Sequence, residues 1–262
     1  MTAPITTVAG AATDVGARRR LNEDAFLASA PVFMVADGMG GHDAGEIASA
    51  AAVHIFSELV GRASVTVDDA RDVFLRARET VDEISRDREN GAGTTFAGAL
   101  ITEVDGAGYW LAINLGDSRV YRMAAAGLEQ VSVDHSVVQE LVDSGRITPE
   151  QARRDNRRNV ITRAMGAGSD ADADYWMLPA SVGDRLLLCT DGLSNELRPE
   201  RIGEILRAVP DPEAAARTLV GEALERGGRD NITAVVVDAL MVRGGARDEE
   251  DSDTKPREAV AR

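Results

Sequence analysis

Two buried strands in this sequence end in the same way, and no other feature restricts the fold as much. "FMVADGMGGH", residues 33–42, runs from an apolar stretch into Asp37 and Gly38; "RLLLCTDGLSN", residues 185–195, runs through Cys189 and Thr190 into Asp191 and Gly192. Short apolar runs bounded by glycine read as buried strands, so each carries a bare carboxylate to the place where its burial stops. One Asp-Gly is an ordinary solvated turn. Here three further acids stand beside β segments: Asp24 in "RLNEDAF", Asp117 in "NLGDSRVYR" and Asp230 in "GGRDNITAVVV".

Five such carboxylates suit a hard divalent cation. Mg and Mn take oxygen ligands in octahedral geometry, keep several waters, and need only a few carboxylates plus a backbone carbonyl. A glycine after the acid lets the chain turn its carbonyl toward the metal. The overall charge of -15, from 44 acidic and 29 basic residues, fits bound cations and argues against nucleic acid or an anionic membrane as partner.

At 262 residues and 44% hydrophobic content the chain buries one large core. Cys189 is its only cysteine, so no internal disulfide forms and a reducing compartment fits. The first twenty residues carry their positive charge after the apolar stretch, unlike a signal peptide, and no run approaches the roughly 20 apolar residues of a membrane span. These features predict a soluble, cytoplasmic protein.

Periodicity predicts strands at 5–12, 24–29, 32–36, 94–103, 108–114, 119–123, 175–178, 185–189 and 232–240. It predicts helices at 46–59, with Ile47, Ala51, Ile55 and Leu59 on one face, from about 67 with Phe74, Ala77, Val81 and Ile84, and at 199–208 and 212–226. The strands between 94 and 123 read as an antiparallel meander. Strands in pairs with helices after them in runs favour α+β over a doubly wound sheet. Residues 136–163, with a short helix at "SVVQELVDSG", a helix start at Thr148-Pro149 and the polar "ARRDNRRN", form an excursion from the core; 244–262 read as a disordered acidic tail. The main domain is then 1–243, excursion included.

"RRLNEDAF", "VADGMGGHDAGEIAS", "GAGTTFAGAL", "NLGDSRVYR", "CTDGLSNEL" and "GGRDNITAVVV" stand in this order, and the set resembles the PPM-type, or type 2C, metal-dependent protein phosphatases, most of all bacterial Ser/Thr phosphatases. The resemblance spans nearly all of residues 5–242. It implies an αββα sandwich of two antiparallel sheets flanked by helices, with two Mn or Mg ions at one end. Carried over residue by residue, Asp37 bridges the ions, the carbonyl of Gly38 holds the second, and Asp191 and Asp230 complete the first. Asp117 recruits a third, weaker ion together with Asp191. Asp24 orients a metal-bound water with Glu23 beside it, Arg19 binds substrate phosphate, and Asn231 supports Asp230. The excursion resembles the flap beside the active site, and its Arg153, Arg154, Arg157 and Arg158 form a solvated face or, in the favoured reading, a contact for phosphoproteins.

The implied reaction is hydrolysis of phosphoserine and phosphothreonine in proteins by direct attack of a water bridging the ions, opposing bacterial Ser/Thr kinases. A Cys-based phosphatase needs Arg six residues after its nucleophile, whereas Asn195 stands there after Cys189; a His-rich dinuclear site is excluded by a chain with only His42, His54 and His135. Eukaryotic members place a His where Met39 stands, and Met donates no proton. Two roles fit His42: proton source for the leaving group, in competition with metal-bound water, or simple cap of the helix at "HDAGE". His135 in "VDHS" anchors the excursion, and the spacing of Asp170, Asp172 and Asp174 lacks the glycine and closing glutamate of a calcium loop.

Phosphorylated proteins and a Ser/Thr kinase are the expected partners of a monomer. Two alternatives differ in class: a non-catalytic phosphoprotein-binding regulator, which loss of a metal-site acid would mark, and a dedicated phosphatase of one signalling regulator, which usually carries a sensory domain. With all five acids present, hydrolysis of a phosphothreonine peptide is expected with Mn or Mg and is expected to vanish in EDTA; a peptide assay in the three buffers checks this.

Overall fold

The computed structural model describes residues 2–41, 44–124, 127–168 and 172–244. Two antiparallel sheets pack face to face with helices outside both, the predicted αββα arrangement. The larger sheet has the order β2 (Asp24–Ser29), β3 (Val32–Gly40), β5 (Phe96–Val104), β6 (Ala107–Leu115), β9 (Asp174–Pro179), and the short β4 (Ala92–Thr94) extends β3. The smaller has the order β1 (Ile5–Asp14), β11 (Ile232–Val242), β10 (Arg185–Cys189), β7 (Arg119–Ala124), β8 (Gly127–Gln130). First and last strands therefore lie side by side, with Ile5 opposite Val242.

Strand residues alternate between faces, and here both faces are covered. In β3, Phe33 and Val35 join the core between the sheets while Val32, Met34 and Ala36 pack under the outer helices. In β11, Val235 and Val237 face inward and Ala234 and Val236 outward. This double burial is why these strands read as unbroken apolar runs. Helices α1 (Ala44–Ser57) and α2 (Val67–Arg86) cover the larger sheet; α6 (Pro199–Ala208) and α7 (Pro212–Glu225) cover the smaller. A capping box between Thr66 and Asp69 starts α2, and Asp211 accepts from the Ala214 amide at 2.8 Å to start α7.

Two expectations change. The buried face of α1 is Ala44, Ala48, Ala52 and Phe56, whereas Ile47 is 39% exposed; the helix lies so close to the sheet that small side chains fill its inner face. The strands at 94–123 do not form one meander. β5 and β6 pair, but at Gly116 the chain crosses to the other sheet, where β7 pairs β10. Within the excursion the two short helices form where the sequence places them, as α3 (Val137–Asp143) and α4 (Pro149–Ala152), each with a side-chain N-cap, from Ser136 and Thr148. The four-residue α5 (Asp191–Ser194) and β8 had no separate signal. Beyond Gly244 the predicted acidic tail lies outside the described residues.

The close seating of α1 makes a contrast that mutation reads directly. Ala48→Leu is expected to destabilise the protein by about 1–3 kcal/mol through overpacking, whereas Ile47→Ala should stay within about 0.5 kcal/mol as a surface change. Urea unfolding of the two variants measures the difference.

Candidate metal centre

The same alternation decides what stands at the mouth of the sandwich. Two residues beyond Val35, Asp37 points between the sheets as Phe33 and Val35 do. Antiparallel register sets Asp24 directly opposite it on β2. On the smaller sheet, the inward positions Val120, Leu188 and Val235 give way at the mouth to Ser118, Thr190 and Thr233, all buried. Apolar side chains thus fill the middle of the sandwich, and oxygen-bearing ones close its end.

Asp24 spans the gap. Its Oδ2 accepts from Thr190 Oγ1 at 2.9 Å and from Thr233 Oγ1 at 2.7 Å, joining the sheets, while its enclosed Oδ1 finds no hydrogen-bond partner among the described residues. Asp37 is fixed through its backbone: its amide donates to Thr95 Oγ1 at 3.0 Å, and its carbonyl accepts from the Thr95 amide at 2.9 Å and from Thr94 Oγ1 at 3.0 Å. That arrangement holds the main chain still and leaves the carboxylate for another partner. Gly38 lies within β3 opposite Thr94. A Cβ on it would stand 2.2 Å from the Gly45 carbonyl oxygen and 2.5 Å from that of Glu23. Its small size is therefore required by the approach of α1 and the Glu23 strand, and not by a turn.

Asp191 opens α5 and accepts from Asn195 Nδ2 at 3.0 Å. Asp230 accepts from Arg19 Nη2 at 2.8 Å and from the Asn231 amide at 2.9 Å. Asn231 organises the loop that carries Arg19: its Nδ2 donates to the carbonyls of Val15 and Leu21, both at 2.9 Å, and its Oδ1 accepts from the Glu23 amide at 2.8 Å. Arg19 is half exposed and retains donors for a second partner. Asp117 is buried beside β7. Met39 sits opposite Gly93 in the β3–β4 pair, His54 is exposed on α1, and His42 lies outside the described residues.

The electrostatics are those of a site that favours bound positive charge. Burial raises Asp37 well above the usual carboxylate range, and the charges of Asp24, Asp191 and Asp117 push the same way. Asp117 is likewise raised well above it, by burial and then by Asp191. Burial lifts Asp24 to about 7 against the lowering effect of the Thr233 and Thr190 hydroxyls, and burial with the Asp230 charge lifts Asp191 to about 6. Burial also raises Glu23, whose Oε1 has no hydrogen-bond partner among the described residues. Among the described residues no three His, Cys, Asp or Glu side chains close into a ready coordination cage. The acids converge with orphaned oxygens and mutual repulsion, and both are relieved by divalent cations. The all-oxygen donor set suits Mg or Mn.

Sequence reasoning missed the hydroxyls Thr95, Ser118, Thr190 and Thr233, although Thr190 and Thr233 stand one and three residues from motif acids. It also grouped the flap arginines together. A cleft of about 750 Å³ between the flap and α5–α6 is lined by Arg153, Arg154, Arg158 and Arg198 and reaches Asn195, the partner of Asp191. Those four arginines form no ion pair among the described residues. Arg157 instead forms a two-pronged pair with Asp155, at 2.9 and 2.8 Å.

The family model described as Protein phosphatase 2C matches residues 17–226. The "Serine/threonine phosphatase stp" of Listeria monocytogenes is 32% identical over 247 residues, covering 89% of this chain and 96% of that protein. The "Serine/threonine protein phosphatase PstP" of Mycobacterium tuberculosis is 38% identical over 96% of this chain, which spans about half, 50%, of that relative's length. The crystal structure of the Mycobacterium tuberculosis phosphatase PstP/Ppp superposes with a TM-score of 0.83 at 35% identity, over 90% of this chain and 99% of that one. The PstP catalytic domain in complex with two manganese ions superposes with a TM-score of 0.80 at 34% identity, over 90% and 99%.

A pH prediction follows with a definite sign. An unfolded Asp ionises near 3.8, whereas the folded values are about 7 for Asp24 and about 6 for Asp191. The native state therefore holds more protons across that window, and metal-free stability falls as pH rises from about 4 to 7. Asp37→Asn, which removes one of the crowded charges, is expected to raise metal-free stability by about 0.5–2 kcal/mol and to abolish the thermal shift given by Mn. Melting curves against pH, with chelator or with Mn, check both.

Proposed function

The chain belongs to the protein phosphatase 2C family, and from that premise we propose how it works as a metal-dependent phosphoserine and phosphothreonine protein phosphatase. Asp37, Asp191, Asp230 and the Gly38 carbonyl would hold a pair of Mn or Mg ions, and Asp117 with Asp191 would hold a third, weaker one. When bound, the pair supplies charge that attracts the phosphoryl group and acidifies water so that it attacks phosphorus near neutral pH. The single observation behind this assignment is the convergence of acids at the mouth of the sandwich, with Asp37 facing Asp24 in strand register and, beside them, oxygens on Asp24 and Glu23 that are unpartnered among the described residues.

The chain's own residues do the rest. Arg19, positioned by its bond to Asp230, presents its remaining donors to the phosphate oxygens, where a planar fork grips two at once. Asp24 is locked through Oδ2 by two threonines, so its free Oδ1 accepts a hydrogen from the attacking water and holds it in line. Asn231 sets both Arg19 and Glu23 by gripping the loop between them. Retention of all five acids favours catalysis over a purely phosphoprotein-binding role.

Substrate proteins reach further than the phosphate. The cleft between the flap and α6 offers Arg153, Arg154, Arg158 and Arg198 to acidic stretches flanking the phosphoresidue. Reversing Arg154 and Arg158 to Glu is expected to lower kcat/KM on a phosphoprotein about tenfold, the low end of electrostatic steering effects, with p-nitrophenyl phosphate changed less than about twofold. Arg157→Glu should change neither, because that side chain is engaged with Asp155. Asp37→Ala should abolish turnover of both substrates, and steady-state assays of the variants distinguish site from cleft.

A further inference from the structure

We infer that His135 is a positioning residue that couples the flap to the metal centre. The inference rests on the proposed reading of Asp37 and Asp117 as cation ligands. His135 is buried at the base of the flap, one residue before the Ser136 that caps α3. It grips Gly116 twice: its backbone amide donates to the Gly116 carbonyl at 2.9 Å, and its ring Nδ1 accepts from the Gly116 amide at 3.1 Å. Because Nδ1 accepts, the ring hydrogen sits on Nε2, which donates to Asp174 Oδ2 at 3.0 Å. Asp174, whose spacing with Asp172 suggested a calcium loop and then excluded one, has this work instead.

Both ends of the flap meet at the same residue. The Thr162 amide donates to the His135 carbonyl at 2.8 Å, Ser136 pairs Ile161 across an isolated bridge, and the Val137 amide donates to the Val160 carbonyl at 2.9 Å. On its other side lies Gly116, which has φ +110 and no room for a Cβ, since one would stand 2.7 Å from Thr95 Cγ2. Gly116 leads directly into Asp117 and Ser118. Ser118 Oγ then lies 2.7 Å from Thr95 Oγ1, whose other bond accepts the amide of Asp37 at 3.0 Å. Either hydroxyl can donate in that bond, since an oxygen that accepts the Asp37 amide still has a second lone pair. An unbroken path thus runs from the flap hinge through His135, Gly116, Asp117, Ser118 and Thr95 to the acid proposed to bridge the ions.

Hydrogen bonds or covalent bonds make every step, so ordering of Asp37 and Asp117 by cations restricts the hinge, and the hinge position restricts Asp117 in return. Coupling between binding events is reciprocal in free energy. The flap carries the cleft arginines, so this path links metal occupancy to the surface that receives the substrate protein.

The test is limited trypsin digestion of the full chain, following cleavage after Arg153, Arg154, Arg157 and Arg158 with and without Mn, with Mn binding measured separately by calorimetry. In the parent protein Mn is expected to slow flap cleavage about tenfold, a usual size for coupling between sites. His135→Gln, which reaches toward Asp174 but offers Gly116 no acceptor at Nδ1, should bind Mn yet show less than about twofold protection, a loss of most of that coupling. His135→Asn, which keeps an acceptor at the Nδ1 position, should restore protection although it loses Asp174. Should His135→Gln melt out, Ser118→Ala interrupts the same path with a smaller change and should also lose protection. Absence of Mn binding to the parent protein would bring down the metal reading and this inference with it. Normal Mn binding with an unprotected flap, or full protection in the His135→Gln and Ser118→Ala variants, would overturn the coupling alone.

Discussion

Like charges crowded at a protein's edge resist folding, and that resistance is the constraint around which this molecule is arranged. Asp24, Asp37, Asp117 and Asp191 each sit where burial and neighbouring carboxylates disfavour ionisation. Left in an open loop, such acids would drift apart into water. They stay together because none hangs on a flexible tether: Asp37 and Asp24 face each other in strand register, Thr95 holds the Asp37 main chain from within the same sheet, and Thr190 and Thr233 tie the Asp24 side chain to the opposite sheet. The long apolar middle of the sandwich supplies the folding free energy that offsets this local cost.

On the proposed reading of Asp37 as a cation ligand, stability and activity oppose each other at one end of the sandwich. An apolar or amide side chain there would suit the metal-free fold better and the reaction worse, a familiar trade at sites that store strain for function. The hydroxyl pairs soften the conflict without removing it. Thr190 and Thr233 both donate to Asp24 and so favour its charged form, yet burial outweighs them there.

Much of this was legible in the sequence where it depended on local pattern. Doubly covered strands such as Leu186–Cys189 announce themselves as apolar runs, and the acids that end them mark the site. What depended on distance was not legible. Nothing in "GEIASAAAVHIF" tells that α1 would be seated on its alanines and leave Ile47 outside, because that is set by how closely the sheet approaches. The meander failed at Gly116 since strand pairing across sheets is decided by partners far along the chain, here Leu186–Cys189 for β7. Threonines 190 and 233 looked like ordinary strand residues until both met Asp24, 166 and 209 positions away. Arg157 and Arg158, neighbours of one type, separate only once Asp155 has claimed the first.

The last strand is also an inner one. β11 lies between β1 and β10, carries Val235 and Val237 into the inter-sheet core, and follows directly on Asp230. During synthesis the smaller sheet thus lacks the strand that joins β1 to β10 until residues 232–242 have emerged, and β1 must wait for a partner more than two hundred residues downstream. Loop closure of that span precedes any reward from pairing, so topology alone assigns this sandwich to the slow folders. A nascent chain stopped short of Ile232 would leave β1 and β10 with bare edges, the condition under which strands pair with strangers.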